Sequence, residues 1–254
     1  MLDISIIKCL SDNYSYLIRD KKTNIIGVVD PSEFAIINHE IEKKYKKLDF
    51  IFNTHHHDDH VGGNLDLKGK YGSKIICSQK DKEIIQSVDI ALNDKDIFSF
   101  GEIDFNILNI PGHTLGHIAF HSKKAGVVFT GDTLFSLGCG RIFEGTFEQM
   151  FNSLEKIKTL PEDTLVYCGH EYTKKNGEFC ISIDKENKNL KDRIEEVNNR
   201  IKKNLPTLPV SLGRELENNI FLRCDNSEIK KNLKMENASK FEVFKKLRNL
   251  KDQF

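Results

Sequence analysis

The seven residues Thr54-His55-His56-His57-Asp58-Asp59-His60 constrain this chain more than any other stretch. They follow a short apolar run, Phe50-Ile51-Phe52, and precede Gly62-Gly63. Imidazole and carboxylate are ligands for divalent metals such as zinc, iron or manganese. In extended backbone, residues two apart point the same way, so His55 and His57 can grip one ion together. Asp59 and His60 are adjacent, and at a turn into a helix they can diverge toward a second ion. His56 and Asp58 alternate with these and are expected to point away. A merely histidine-rich tract would lack this fixed strand-then-turn setting.

The setting recurs downstream. His113, Asp132 and His170 each come just after a glycine at the end of an apolar run. Loops at strand ends converge when the strands lie side by side. One such residue alone is an ordinary polar side chain, whereas four strand-end clusters in one chain make a site. Seven candidates exceed the needs of one four-coordinate ion, and two ions sharing a carboxylate accommodate them all. No cysteine is among them and positions stay open, which favours a catalytic site over a closed structural one. His117 reads as a satisfied buried histidine, with orientation of a loop or ligand as the alternative. His121 reads as structural, and His39 as a surface or boundary side chain.

The rest of the composition narrows the class. Lys+Arg and Asp+Glu both number 38, a formal net charge of 0, which argues against bulk electrostatic binding to nucleic acid or membrane. The six cysteines (9, 77, 139, 168, 180 and 224) form no CxxC pair and read as reduced thiols of a cytoplasmic compartment. The start reads as a strand rather than a signal peptide, and no apolar run is long enough to span a bilayer. A monomer is the default expectation.

Periodicity predicts strands over residues 4–9, 14–19, 25–30, 49–53, 74–77, 118–121 and 126–130, with a hairpin of 96–100 and 103–110 around Gly101. It predicts helices over 34–45 and 81–87, and a short helix or loop over 64–71. Thr146 and Gln149 make a capping-box pattern for a helix to about 158. Residues 164–168 are the last expected strand. Beyond 172 the chain is polar and helix-prone, is broken between Pro206 and Pro209, and ends in a helix capped by Ser239 and Glu242. The expected division is an α/β part over 1–172 that carries the chemistry and a smaller, mainly helical part over 173–254.

Residues 54–60 also read T-H-x-H-x-D-H, and in this the chain resembles the metallo-β-lactamase superfamily, with His113, Asp132 and His170 in matching order. Within it the chain is similar to the glyoxalase II family, the hydroxyacylglutathione hydrolases. The matching segments include Gly131-Asp132-Thr133-Leu134-Phe135, Gly138-Cys139-Gly140-Arg141, Tyr167-Cys168-Gly169-His170-Glu171-Tyr172, Pro206-Thr207-Leu208-Pro209 and Arg248-Asn249-Leu250-Lys251-Asp252. The resemblance implies an αββα sandwich with two metals at one sheet edge, zinc before iron or manganese. It implies His55, His57 and His113 on one metal, Asp59, His60 and His170 on the other, and Asp132 bridging. It further implies hydrolysis of S-D-lactoylglutathione to D-lactate and glutathione, the second step of methylglyoxal detoxification. Hydroxide held by the metals would be the nucleophile, with Asp59 and Asp132 as catalytic carboxylates. Glutathione contacts are implied for Arg141, Phe143, Tyr172, Arg248 and Lys251. Arg248 and Lys251 lie three apart, so they share a helix face and can hold a carboxylate as charge-assisted donors. Phe143 stands where relatives often have tyrosine, and Arg141 where lysine is also common. The rival readings are a glutathione persulfide dioxygenase with one iron, a general thioesterase, a nuclease of the same fold and a non-catalytic metal-stabilised binding module.

Overall fold

A computed structural model describes residues 1–254. The N-terminal third builds one six-stranded sheet. Its strands, in spatial as in chain order, are β1 (Leu2–Cys9), β2 (Asn13–Asp20), β3 (Ile26–Val29), β4 (Phe50–Phe52), β5 (Lys74–Ser78) and β6 (Ile90–Leu92). The first three pair antiparallel; β3 through β6 run parallel. Parallel neighbours need crossovers, and these are α1 (Phe34–Lys44) and, after β4, the short α2 (Asp58–Val61) and α3 (Asn64–Tyr71). In α1 the apolar stripe buries Ile37 and Ile41, as its spacing predicts.

The second sheet has the order β14-β13-β10-β9-β8-β7. It comprises β7 (Ile97–Phe100), β8 (Ile103–Asn109), β9 (Ile118–Ser122), β10 (Val127–Gly131), β13 (Leu165–Cys168) and β14 (Val210–Ser211). Between β10 and β13 lie a two-stranded ribbon, β11 (Leu134–Phe135) and β12 (Gly138–Cys139), and helix α4 (Phe147–Lys158). Helix α4 carries the predicted capping box of Thr146 and Gln149. The helical region supplies α5 (Thr173–Ile183), α6 (Lys188–Lys202), α7 (Leu212–Asn218), α8 (Ser227–Asn232) and α9 (Lys240–Gln253), the last with the predicted Ser239–Glu242 box.

The sheets pack face to face through aromatics. Phe52 is 1% exposed and meets Phe98, Phe100, Phe105 and Phe120 at centroid distances of 5.2–5.8 Å. Burying such a side chain stabilises by about 1.5–3 kcal/mol, so this seam fixes how the two sheets register. A separate core of Ile37, Ile41, Ile51, Leu67 and Ile75 lies between the first sheet and its helices. The helical region shares the main core: Val243, Phe244 and Leu247 of α9 cluster with Met150 and Leu154 of α4. The architecture is therefore the αββα sandwich with a mainly helical C-terminal part.

Two sequence expectations fail. Residues 81–87 form turns, not a helix. Only Ile85 of the pair Ile84 and Ile85 is buried, and Ser87 takes φ +59°, so no apolar stripe exists to pack a helix. Residues 164–168 are not the last strand, because Val210–Ser211 from the helical region pairs antiparallel with β13.

Candidate metal centre

Strands β3 and β4 run parallel in the first sheet. In the second, β8, β10 and β13 run the same way, since β9 is antiparallel to both β8 and β10 while β13 is parallel to β10. The loops after these strands gather at one edge of the sandwich. There Ile118 N–H donates to the Thr54 carbonyl at 2.9 Å and Tyr14 N–H to the Gly169 carbonyl at 2.8 Å. All seven expected donors meet at this edge. His55, His57 and His113 form one group and Asp59, His60 and His170 another, with ligand atoms within 4.8 Å inside each group.

The glycines before the ligands explain the close approach. A Cβ on Gly131, which takes φ +47°, would stand 2.3 Å from Thr54 Oγ1. A Cβ on Gly169 would stand 2.2 Å from Asp132 Oδ1. Any side chain there would push the ligand loops apart.

Four of the five imidazoles are fixed by their outer nitrogen. Thr54 Oγ1 donates to Asp30 Oδ2 at 2.7 Å, so it accepts from His55 Nδ1–H at 3.0 Å. His113 Nδ1 donates to the Arg141 carbonyl at 2.9 Å, His60 Nδ1 to Asp30 at 3.1 Å and His170 Nδ1 to Asp12 at 2.8 Å. With cations bound, four Nε2 atoms would carry their lone pairs inward. His57 turns its Nδ1 inward instead, 3.2 Å from His55 Nε2 and 3.0 Å from His113 Nε2. Three acceptor nitrogens this close repel one another unless a cation lies between them, and about 3.3 Å is the edge of a tetrahedron with ligands at about 2.05 Å.

Asp132 lies between the groups. Its Oδ2 is 3.5 Å from His113 Nε2 and 3.2 Å from His170 Nε2, and its Oδ1 is 3.5 Å from His60 Nε2. It is 6% exposed, and Oδ1 has no hydrogen-bond partner. An unpartnered buried carboxylate oxygen is costly and suits a cation ligand. Burial would raise the Asp132 carboxyl, but the His60 and His170 charges hold it far below the usual range. Burial likewise opposes, and His170, His60 and Asn13 overcome, in lowering Asp59. Burial and the surrounding imidazoles push His55 well down. Burial would lower His170 too, but Asp132, Asp59 and Asp12 raise it to about 11. The field at this edge favours positive charge, and the donor set fits two divalent ions.

His117 is not the fully satisfied histidine expected, since its buried Nδ1 has no hydrogen-bond partner; it orients a loop instead. It stacks on His55 at 4.7 Å, and its Nε2 accepts the Asp132 N–H at 3.0 Å, so it holds the bridging loop. As expected, His56 points away from the ligands, and Asp58 is exposed. Asp12, Asn13 and Asp30 escaped the sequence reading. Asn13 Nδ2 donates to the Asp59 carboxylate at 2.9 Å.

The expected substrate residues divide. Phe143 is 63% exposed and lies edge-on to His57 and His113, at 5.8 and 5.2 Å. Tyr172 stacks on His170 at 4.7 Å, and Arg141 is exposed on the loop beside His113. Arg248 is not a solvent-facing cation. It is 3% exposed, with Nη1 donating to the Cys139 carbonyl at 2.7 Å and Nη2 to Asp252 at 2.9 Å. Lys251 is partly buried, donates to the Lys175 carbonyl at 3.3 Å, and lies over Phe179 and Phe254.

The chain is also similar to known proteins along its whole length. Residues 11–170 match the metallo-beta-lactamase superfamily, and residues 171–254 match the hydroxyacylglutathione hydrolase C-terminus. A hydroxyacylglutathione hydrolase of Pelagibacter ubique is 52% identical over 253 residues, covering 100% of both chains. One of a Bradyrhizobium species is 44% identical, covering 99% of this chain and 98% of the relative. Among solved structures, ETHE1 from Myxococcus xanthus superposes with a TM-score of 0.69 at 23% identity, covering 98% of this chain and 91% of that one, a likeness of fold.

Proposed function

We propose that this chain, which belongs to the hydroxyacylglutathione hydrolase family of the metallo-β-lactamase superfamily, hydrolyses S-D-lactoylglutathione to D-lactate and glutathione, the second step of methylglyoxal detoxification. The observation that carries this reading is the pairing of a complete seven-donor site with full-length similarity that includes the C-terminal region. His55, His57 and His113 would hold one divalent ion, Asp59, His60 and His170 the other, and Asp132 both. Zinc suits the imidazole majority, with iron or manganese as the alternatives. When bound, such ions lower the pKa of water toward neutrality and polarise a carbonyl.

The chain's own residues supply the rest. Asp59, ionised and partly exposed at the mouth of the site, would accept a hydrogen bond from the attacking water and orient it. That water adds to the acyl carbon, the C–S bond breaks, glutathione leaves as a thiolate that takes up one of the water's protons, and the acid product ionises to D-lactate. Arg141, Phe143 and Tyr172 line the open side beside His113, His57 and His170, where the glutathionyl part would lie. A substrate carboxylate would meet Arg248 Nη2 by displacing the Asp252 carboxylate that now holds it, with Lys251 as the neighbouring cation. We assign residues 1–172 to the catalytic part and 173–254 to the substrate-holding part, in a cytoplasmic monomer. No helix is long and apolar enough to cross a membrane.

The test is hydrolysis of S-D-lactoylglutathione by metal-loaded protein, beside a thioester without the glutathionyl group. The first is expected to turn over far faster than the second. Equal rates would make it a general thioesterase. No turnover of either, with oxygen uptake on glutathione persulfide, would replace the reading with the dioxygenase.

A further inference from the structure

Outside the metal ligands one cluster of ionisable side chains joins four loops, and it centres on His56. Its Nδ1 lies 3.3 Å from Asp81 Oδ1 and its Nε2 lies 3.0 Å from Glu144 Oε1. Asp81 follows β5, the parallel neighbour of β4, and its side chain is 2% exposed. Glu144 belongs to the loop 140–146, which also carries Arg141 and Phe143. Its second oxygen accepts the Leu115 N–H at 2.8 Å. The N–H groups of Phe143 and Glu144 both reach the His113 carbonyl, at 3.2 and 3.3 Å. Gly116 completes the junction, because a Cβ there would stand 1.9 Å from Asp81 Oδ1.

We infer that Asp81, His56 and Glu144 form a strut that positions the loop 140–146 over the metal centre, and through it the side chains of Arg141 and Phe143. His56 itself touches no expected substrate atom; it acts through Glu144. Without the strut, that loop keeps its backbone bonds to the His113, Gly112 and Thr133 carbonyls and the His113 Nδ1 bond to the Arg141 carbonyl, but Glu144 no longer ties it to the loops after β4 and β5. The inference rests on the glutathione-thioester reading for the substrate that the loop meets.

Glu144→Gln removes the charge and keeps an acceptor for Leu115; Glu144→Ala removes both; Glu144→Asp restores a carboxylate. The expected result for Glu144→Gln and Glu144→Ala is a KM for S-D-lactoylglutathione raised by about 5–20-fold with kcat within about 2-fold. Metal content per chain and the rate on a thioester lacking glutathione should stay as in the parent, and Glu144→Asp should recover part of the loss. His56→Gln should reproduce the KM effect. Unchanged KM in Glu144→Ala and His56→Gln, or equal losses on both thioesters, would overturn the strut. Failure of the parent protein on S-D-lactoylglutathione would instead overturn the substrate reading, so the two failures are distinguishable.

Discussion

The two halves of the metal centre use the same imidazole ligand but hold it differently. His55 and His113 give their outer N–H to neutral oxygens, the Thr54 hydroxyl and the Arg141 carbonyl. His60 and His170 give theirs to the carboxylates of Asp30 and Asp12. A carboxylate behind an imidazole makes it a more basic ligand. The second half adds Asp59 as a direct carboxylate donor, whereas the first has a third imidazole, His57. Leaving aside the Asp132 carboxylate proposed to bridge them, one half is a softer, all-nitrogen site with neutral support and the other is harder and more negative.

The sharpest way to break this contrast is to remove the shared group. Asp132→Ala should strip both halves, with metal content falling toward zero and turnover dropping by about 10²–10³-fold or more. Metal analysis beside activity checks it, and retention of one full equivalent would show that the halves stand alone. Asp12→Asn comes next. It should weaken the second half by about 10–100-fold while the first keeps its affinity, as read by titration against a chromophoric chelator. Equal weakening of both would erase the distinction. A smaller effect is one of preference: with zinc and manganese offered together, manganese should collect in the second half, where the carboxylate lies. Anomalous diffraction at each edge locates the ions, and Asp59→Asn should reduce the bias. The smallest is Asn13→Ala, which deletes donors to the Asp59 carbonyl and carboxylate and should cost less than about 10-fold in affinity at the second half alone.

The meeting of the seven candidate donors was legible from sequence because each cluster closes an apolar run, and strands that lie together bring their ends together. Their supports were harder to read. Asp12 lies in the β1–β2 turn, 158 residues from His170, where an aspartate is ordinary turn chemistry. Asp30 offered a usable signal, since it ends β3 beside the ligand-bearing β4. Arg248 shows the opposite limit. Spacing put it on one face with Lys251, but only the fold brings the Cys139 carbonyl, 109 residues away, against its guanidinium. The strand Val210–Ser211 was illegible because two residues after Pro209 carry no period.

That two-residue strand has a consequence for anyone recombining parts within this superfamily. It covers the outer edge of β13, whose end delivers His170. An exchanged C-terminal cassette that brought the helices but not the strand would leave the outer backbone groups of Leu165 and Val166 unpaired, at the start of the strand that delivers His170. Such an edge invites intermolecular pairing, so the chimera would be lost to aggregation before its specificity was ever assayed.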